Sequence, residues 1–402
     1  MDIAIPSQFL ERLIQINTLV IPERYNRYVN YWPLFLIGVI FSFILIPLIG
    51  KLAVKYKVTY KPKSKRKNKE FDNPKKAIHK IETPSLGGLA VTIPLIIALI
   101  IFFRLDAFTI PILISIIILV VGATLDDIFN LSSKTQLIYQ VLAAFFIAIS
   151  VIDLSNISFF TDDFLNLTAI KWSSTLLSIP ISVVFPGDLI LMIWILLCIN
   201  SVKWVGGSPG LIESYSLAIF LLLFILAIRS FSVFSASLSI LISGSLLSLL
   251  YFAFPSPKIM SGSSGKSIYG FLISIFALTT GVKFSTTIML LALPLIDSIY
   301  VIIYRYIKYK PKNLLDLMKI NDTSHLHHKL LKLDLNNVQI LLIETSLSLL
   351  IGSIAILSTG ALRYFVLIFG VSAIITFVVY INYKASKKEK EKKESPESRY
   401  SY

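Results

Sequence analysis

The stretch PLFLIGVIFSFILIPLIGKLAV, from Pro33 to Val54, is followed by a run of cations reaching Lys80, and it decides the class of this chain. Its 22 residues carry one charge, Lys51. At about 1.5 Å of rise per residue, a helix of this length crosses the roughly 30 Å hydrocarbon core of a bilayer. Segments of the same kind recur at 85–104, 107–125, 136–153, 174–199, 211–228, 232–254, 267–283, 286–306, 338–358 and 361–383, about eleven in all. The segment 174–199 contains Pro180, Pro186 and Asp188, so it also reads as a short outer piece followed by a span. With 55% hydrophobic residues and a mean hydropathy of +0.77, the 402-residue chain falls outside the soluble globular class. The expected fold is an all-α polytopic membrane protein.

Charge placement orients it, because Lys and Arg concentrate in short cytoplasmic loops. Lys51, Lys55, Lys57, Lys61, Lys63, Lys65, Arg66, Lys67, Lys69, Lys75, Lys76 and Lys80 crowd the first loop. If it is cytoplasmic, alternation puts 126–134, 200–213, 255–266, 308–337 and the tail from Lys384 on the same side, and leaves the connections poor in Lys and Arg outside. The reading is an external N-terminus, a cytoplasmic C-terminus and a cell-membrane location. Residues 1–32 read as an interfacial arm without a secretory signal pattern, 33–383 as the membrane domain, and 384–402 as a charged, disordered tail. The net charge of +15 sits mostly in the first loop and tail, where it suits anionic lipid headgroups. A nucleic-acid partner is not expected, since the basic runs lack interleaved aromatics. The single cysteine, Cys198, excludes an internal disulfide and reads as a small core residue.

The unusual polar groups fall on the expected cytoplasmic side. Thr83-Pro84-Ser85-Leu86-Gly87-Gly88 opens the second span, where paired glycines serve either close helix packing or an anion. Asp126-Asp127 ends the third span, with Lys134 following. Two carboxylates at a membrane boundary cost solvation, and as helix C-caps they would oppose the dipole. They read as a base and an orienting group or Mg²⁺ ligand beside a phosphate held by Lys134. Asn200-Ser-Val-Lys203-Trp204-Val-Gly206-Gly207-Ser208-Pro209-Gly210 is a turn able to cradle a phosphate or merely to reverse the chain. Gly262-Ser263-Ser264-Gly265-Lys266 lacks the spacing and the preceding strand of a nucleoside-triphosphate loop, so an ATPase is rejected. Asp297 and Arg305 share the ninth span, and Asp322 leads into His325-Leu-His327-His328, which holds three of the four histidines. Such a cluster reads as a phosphate or metal site, or as a solvated loop.

In this order and at these span ends, the motifs resemble the integral-membrane polyprenyl-phosphate N-acetylhexosamine-1-phosphate transferases, over about Lys51 to Tyr383, and the eleven spans look like the GlcNAc-1-phosphate branch. Asp126-Asp127 with Asn130-Leu131-Ser132, Pro294-Leu-Ile-Asp297 with Arg305, and Asp322 with the His box carry most of the likeness. The resemblance implies transfer of a sugar-1-phosphate from a UDP-sugar to a polyprenyl phosphate, releasing UMP, with Mg²⁺. By position it assigns Asp126 and Asp127 to the lipid phosphate and His325, His327 and His328 to diphosphate oxygens or the nucleotide, and beside them Lys134, Asn200, Lys203, Lys266, Asp297, Arg305 and Asp322 read as substrate-binding residues. The implied partners are the lipid phosphate, the nucleotide-sugar, the membrane and a second copy as a homodimer. Three family carboxylates are replaced here, by Gly206, Pro209 and Ser263, the last at the usual Mg²⁺ ligand. Lys203 and Lys266 are gained. Two readings follow: a divergent transferase in which the lysines offset diphosphate charge, or a non-catalytic relative that binds lipid phosphate or a partner. A transporter is disfavoured, because the polar groups cluster at one face instead of the midplane.

Overall fold

The computed structural model describes residues 31–60, 82–152, 156–157, 165–176, 179–280, 284–313, 316–317, 320, 322–358 and 360–394. The N-terminal arm, the basic loop from 61 to 81 and the last eight residues lie outside them. In chain order the elements are α1 (Trp32–Lys55), β1 (Thr59–Tyr60), β2 (Thr83–Pro84), α2 (Gly87–Phe102), α3 (Thr109–Phe129) and α4 (Ser133–Ala148). Next come β3 (Asn156–Ile157), β4 (Leu165–Asn166), β5 (Thr168–Leu176), β6 (Ile179–Pro186), α5 (Gly187–Val205), α6 (Leu211–Arg229) and α7 (Val233–Ala253). The chain finishes with α8 (Gly262–Thr279), α9 (Phe284–Leu290), α10 (Ala292–Tyr309), α11 (Leu326–Lys332), α12 (Asn337–Leu357) and α13 (Gly360–Glu394).

Each expected apolar segment carries helix. Among the described residues seven helices are long and apolar enough to cross a membrane: α1, α3, α5, α6, α7, α12 and the Tyr364–Glu389 part of α13. The protein is thus a predominantly helical, multi-pass membrane protein. The other expected spans are less clear-cut: α2 and α4 have 16 residues each, Lys266 and three serines polarise the start of α8, and Leu291 interrupts the ninth between α9 and α10.

The 174–199 segment takes the second of its two readings, a short outer piece followed by a span: the antiparallel hairpin β5–β6 runs into α5, with Pro186 at the junction. The spans themselves are helical, as expected of an all-α polytopic protein. One expectation is corrected. The charged segment from Lys384 to Glu394 continues α13, where a disordered tail was expected. Its charges find partners: Glu389 pairs with Lys332 at 2.7 Å, and Lys388 pairs with Asp334.

Apolar burial gives little drive between helices in lipid, so close approach and hydroxyl bonds set the contacts. Where α1 crosses α7, a Cβ on Gly38 would lie 2.1 Å from Leu241 O, and one on Gly244 would lie 2.1 Å from Phe35 O. The two backbones touch. Serines of α7 then bond across the seam, Ser248 Oγ to Val39 O at 2.8 Å and Ser245 Oγ to Gly38 O at 3.3 Å. Buried α6 and α7 form the centre of the bundle, and α8 lies between α5 and α3 with its first turn at the site.

Candidate active site

Asp126 and Asp127 close α3, and successive helical residues point about 100° apart, so the two carboxylates leave in different directions. Asp126 turns toward α4 and accepts a bond from Gln136 Nε2 at 3.0 Å. Gln136 Oε1 in turn accepts from Lys203 Nζ of α5 at 2.7 Å. One helical turn on, Gln140 Oε1 accepts from Asn200 Nδ2 at 2.9 Å, and Asn200 also donates to Leu196 O at 2.8 Å. A glutamine stripe thus ties the acid to the amine.

Asp127 turns toward α8, accepting the N–H of Ser263 at 2.7 Å, that of Ser264 at 3.1 Å and the Ser264 hydroxyl at 3.0 Å. The first amides of a helix need an acceptor, ordinarily the residue just before it. Ser261 does not serve, since its hydroxyl donates to Glu213 Oε1 at 2.6 Å. Asp127 therefore caps α8 from another helix, its charge matching the helix N-terminus. Lys266, one turn into α8, donates to Gly206 O at 3.2 Å and lines a small cleft with Glu213, Gly210, Met260 and Ser261.

The histidines repeat this logic. Asp297 of α10 accepts the N–H of Leu326 at 3.0 Å and faces His325 Nδ1 at 2.8 Å, capping α11 from a distance. Beside a carboxylate, Nδ1 carries the proton, which leaves Nε2 of a neutral ring as an acceptor. The Trp204 ring lies 5.8 Å from that of His325. His327 is buried, and its Nε2 has no hydrogen-bond partner among the described residues. Burial first, then His328, His325 and Lys266, holds its pKa well below the usual imidazole value, so it is neutral. His328 is half-buried, its ring 4.2 Å from that of His327.

The Gly206–Gly207 turn joins the two halves. A Cβ on Gly206 would lie 2.6 Å from Lys266 Cε, and one on Gly207 would lie 1.8 Å from His327 Nε2. The imidazole leaves Gly207 no room for a side chain, whereas the flexible end of Lys266 can give way at Gly206. On the flank, Arg305 donates to Asp322 Oδ1 through Nε at 3.2 Å and Nη2 at 2.9 Å. Burial raises the Asp322 pKa, but the bonds from Arg305 and Ser324 outweigh it and bring it below the ordinary carboxylate value.

Of the residues singled out in the sequence, Asp126, Asp127, Asn200, Lys203 and Lys266 form one connected group, and Asp297, His325, His327 and His328 form a second. Arg305 and Asp322 buttress the loop before α11, and Lys134 is exposed on α4. The Thr83–Gly88 segment is used for packing: Gly87 and Gly88 donate their N–H groups to Met260 O at 2.8 Å and Ser261 O at 2.9 Å. Sequence reasoning missed Gln136, Gln140 and Glu213. Glu213, an acid inside an apolar span, carried the same signal that drew attention to Asp297.

The Mg²⁺ implied by the resemblance does not fit these residues. Mg²⁺ demands near-octahedral oxygen ligands, whereas the position of the missing aspartate, Ser263, directs a backbone N–H at Asp127. Both Asp127 oxygens are engaged by donors, Lys203 and Lys266 lie on the same side, and among the described residues no three His, Cys, Asp or Glu are grouped to hold an ion.

Residues 108–281 match the profile of glycosyl transferase family 4, a span that takes in the acidic pair, the Gly206–Gly207 turn and the Asp127-capped start of α8. Over 316 residues, 75% of this chain and 78% of the relative, the sequence is 25% identical to a Bacillus subtilis (strain 168) protein named "Probable undecaprenyl-phosphate N-acetylglucosaminyl 1-phosphate transferase". The chain is thus similar to glycosyl transferase family 4 across its central helices, and to this relative across most of its length.

Proposed function

We propose that this protein transfers a sugar-1-phosphate from a nucleotide-sugar, of the UDP-N-acetylhexosamine type, to a polyprenyl phosphate at the cytoplasmic membrane face. The observation that carries the reading is the convergence of Lys266, on the helix that Asp127 caps, and His327 of the histidine box on one glycine turn, at one end of the bundle. A lipid phosphate oxygen would attack the sugar-bound phosphorus, forming the diphosphate linkage as the bond to the nucleotide phosphate breaks and UMP leaves. Such transfer needs positioning and charge stabilisation more than covalent help from the protein. Lys203 and Lys266 would balance diphosphate charge, and His325, held by Asp297 through Nδ1, would accept the proton of a phosphate O–H at Nε2. The eleven-span topology with an external N-terminus belongs to this proposal.

A second reading is supported by the capping of α8. Asp127 is engaged in that cap, and three family carboxylates are replaced, so a non-catalytic relative that binds lipid phosphate is the alternative. Purified protein assayed with undecaprenyl phosphate and a panel of labelled UDP-sugars, with and without chelator, distinguishes them. The transferase reading expects a lipid-linked product that survives chelation and is lost in Lys266→Gln. Absence of product with every donor, alongside retained binding of the lipid phosphate, would establish the second reading. In either case Asp127→Asn is expected to lower stability by about 1–3 kcal/mol, because an amide nitrogen would face helix N–H groups; thermal unfolding in detergent measures this.

A further inference from the structure

We infer that the β5–β6 hairpin is a membrane-surface anchor whose apolar face seats in the headgroup–acyl boundary at the end of the bundle opposite the site. The register sets Ile170 opposite Phe185 and Trp172 opposite Val183, and the two-residue period of a strand puts all four on one face. They are exposed, at 65%, 51%, 55% and 37% respectively. An uncovered patch of this composition marks an interaction surface.

The occupant follows from continuity with α5. The hairpin runs directly into that span and is fastened to it, with Val184 N–H donating to Asp188 Oδ2 at 2.6 Å and Gly187 N–H to Leu167 O at 3.3 Å. Ser182 N–H also donates to Ile149 O at 3.1 Å, so the hairpin cannot swing freely. Its inward residue Val184 continues into buried Asp188 and Leu191. Its outward residue Phe185 continues into Leu189, Ile193 and Leu197, which are exposed at 50%, 56% and 41%. In a membrane-spanning helix such a row faces lipid, so the hairpin's apolar face is its prolongation. Trp and Phe at that level match the aromatic belt of membrane interfaces, where an apolar ring body meets a wet boundary. Other connections at this end also expose apolar side chains, Leu105, Val151 and Phe231 among them. Lys171, Ser173 and Thr175 lie on the other face of β5, the one that carries Ser182 and buried Val184, and are themselves exposed.

The test uses the full chain in phosphatidylcholine liposomes, with Trp32, Trp194 and Trp204 replaced by Phe so that Trp172 is the only indole. Lipid brominated near the headgroup should quench Trp172 at least twofold more than lipid brominated deep in the chain, with little quenching by acrylamide. Quenching by acrylamide alone would overturn the inference, placing the face in water. Protection from both quenchers would also overturn it, placing a protein there, including a second copy of this chain. Should the triple replacement fail to fold, Ile170→Cys carrying a bimane label in the otherwise native chain gives the same readout, because Cys198 is buried and stays unlabelled.

Discussion

Gly207 is the residue on which the two halves of the site meet, and its neighbour makes the control. A methyl at Gly207 collides with a ring held by its own short helix, whereas a methyl at Gly206 meets the far end of a flexible lysine. Gly207→Ala should therefore cost about 1–3 kcal/mol and abolish most substrate binding or turnover, while Gly206→Ala should fold near normally. Equal effects of the two substitutions would refute the contact with His327. His327 also gives a pH signature. Its pKa is lower folded than unfolded, so the stability it contributes is fully present above about pH 6.5 and is lost as pH falls below that value toward the folded pKa. His327→Gln should flatten the loss of thermal stability between about pH 6.5 and 5. A wild-type slope in that variant would assign the titration elsewhere. Asp322 acts in a lower window, its contribution disappearing only as pH falls below the unfolded carboxylate value of about 4.

Two helices at the site begin under the carboxylate of another helix, α8 under Asp127 and α11 under Asp297. This arrangement couples the positions of elements far apart in sequence, since moving α3 or α10 moves the first turn of its client. The extension of α13 adds a second tether on α11 through Lys332–Glu389 and Asp334–Lys388. Exposed ion pairs are each worth about 0.2–1 kcal/mol, so Glu389→Gln should scarcely change the melting temperature. Deleting the chain from Ala385 removes both pairs, and amide exchange in 326–332 should then rise several-fold. Unchanged exchange in the truncated protein would show that α11 is held by Asp297 and its apolar contacts alone.

Across the whole molecule, function depends on which end of the bundle faces the cytoplasm. Cys198 is buried, which makes the chain suited to single-cysteine mapping. Ser173→Cys on the hairpin should react with an impermeant maleimide in intact cells, and Lys312→Cys beside α10 only after permeabilisation. The reverse pattern would invert the topology and take the site away from cytoplasmic nucleotide-sugars.

The sequence by itself determined the membrane class, the positions of the helices and the candidate acids and histidines, because length and apolar content set a span and an ionisable group at its end is costly enough to stand out. It could not determine what those groups touch. The hairpin was hidden by an apolar run that suits a strand as well as a helix, and the helical extension of α13 by a charge-rich composition that reads as solvated until Lys332 and Asp334 are brought beside it. The lysines that read as a gain of bare positive charge are, in three dimensions, set against Asp126 through Gln136 and beside Glu213. Those pairings span tens of residues of sequence, and only tertiary packing decides them, because a buried donor must find whatever acceptor the neighbouring helix presents.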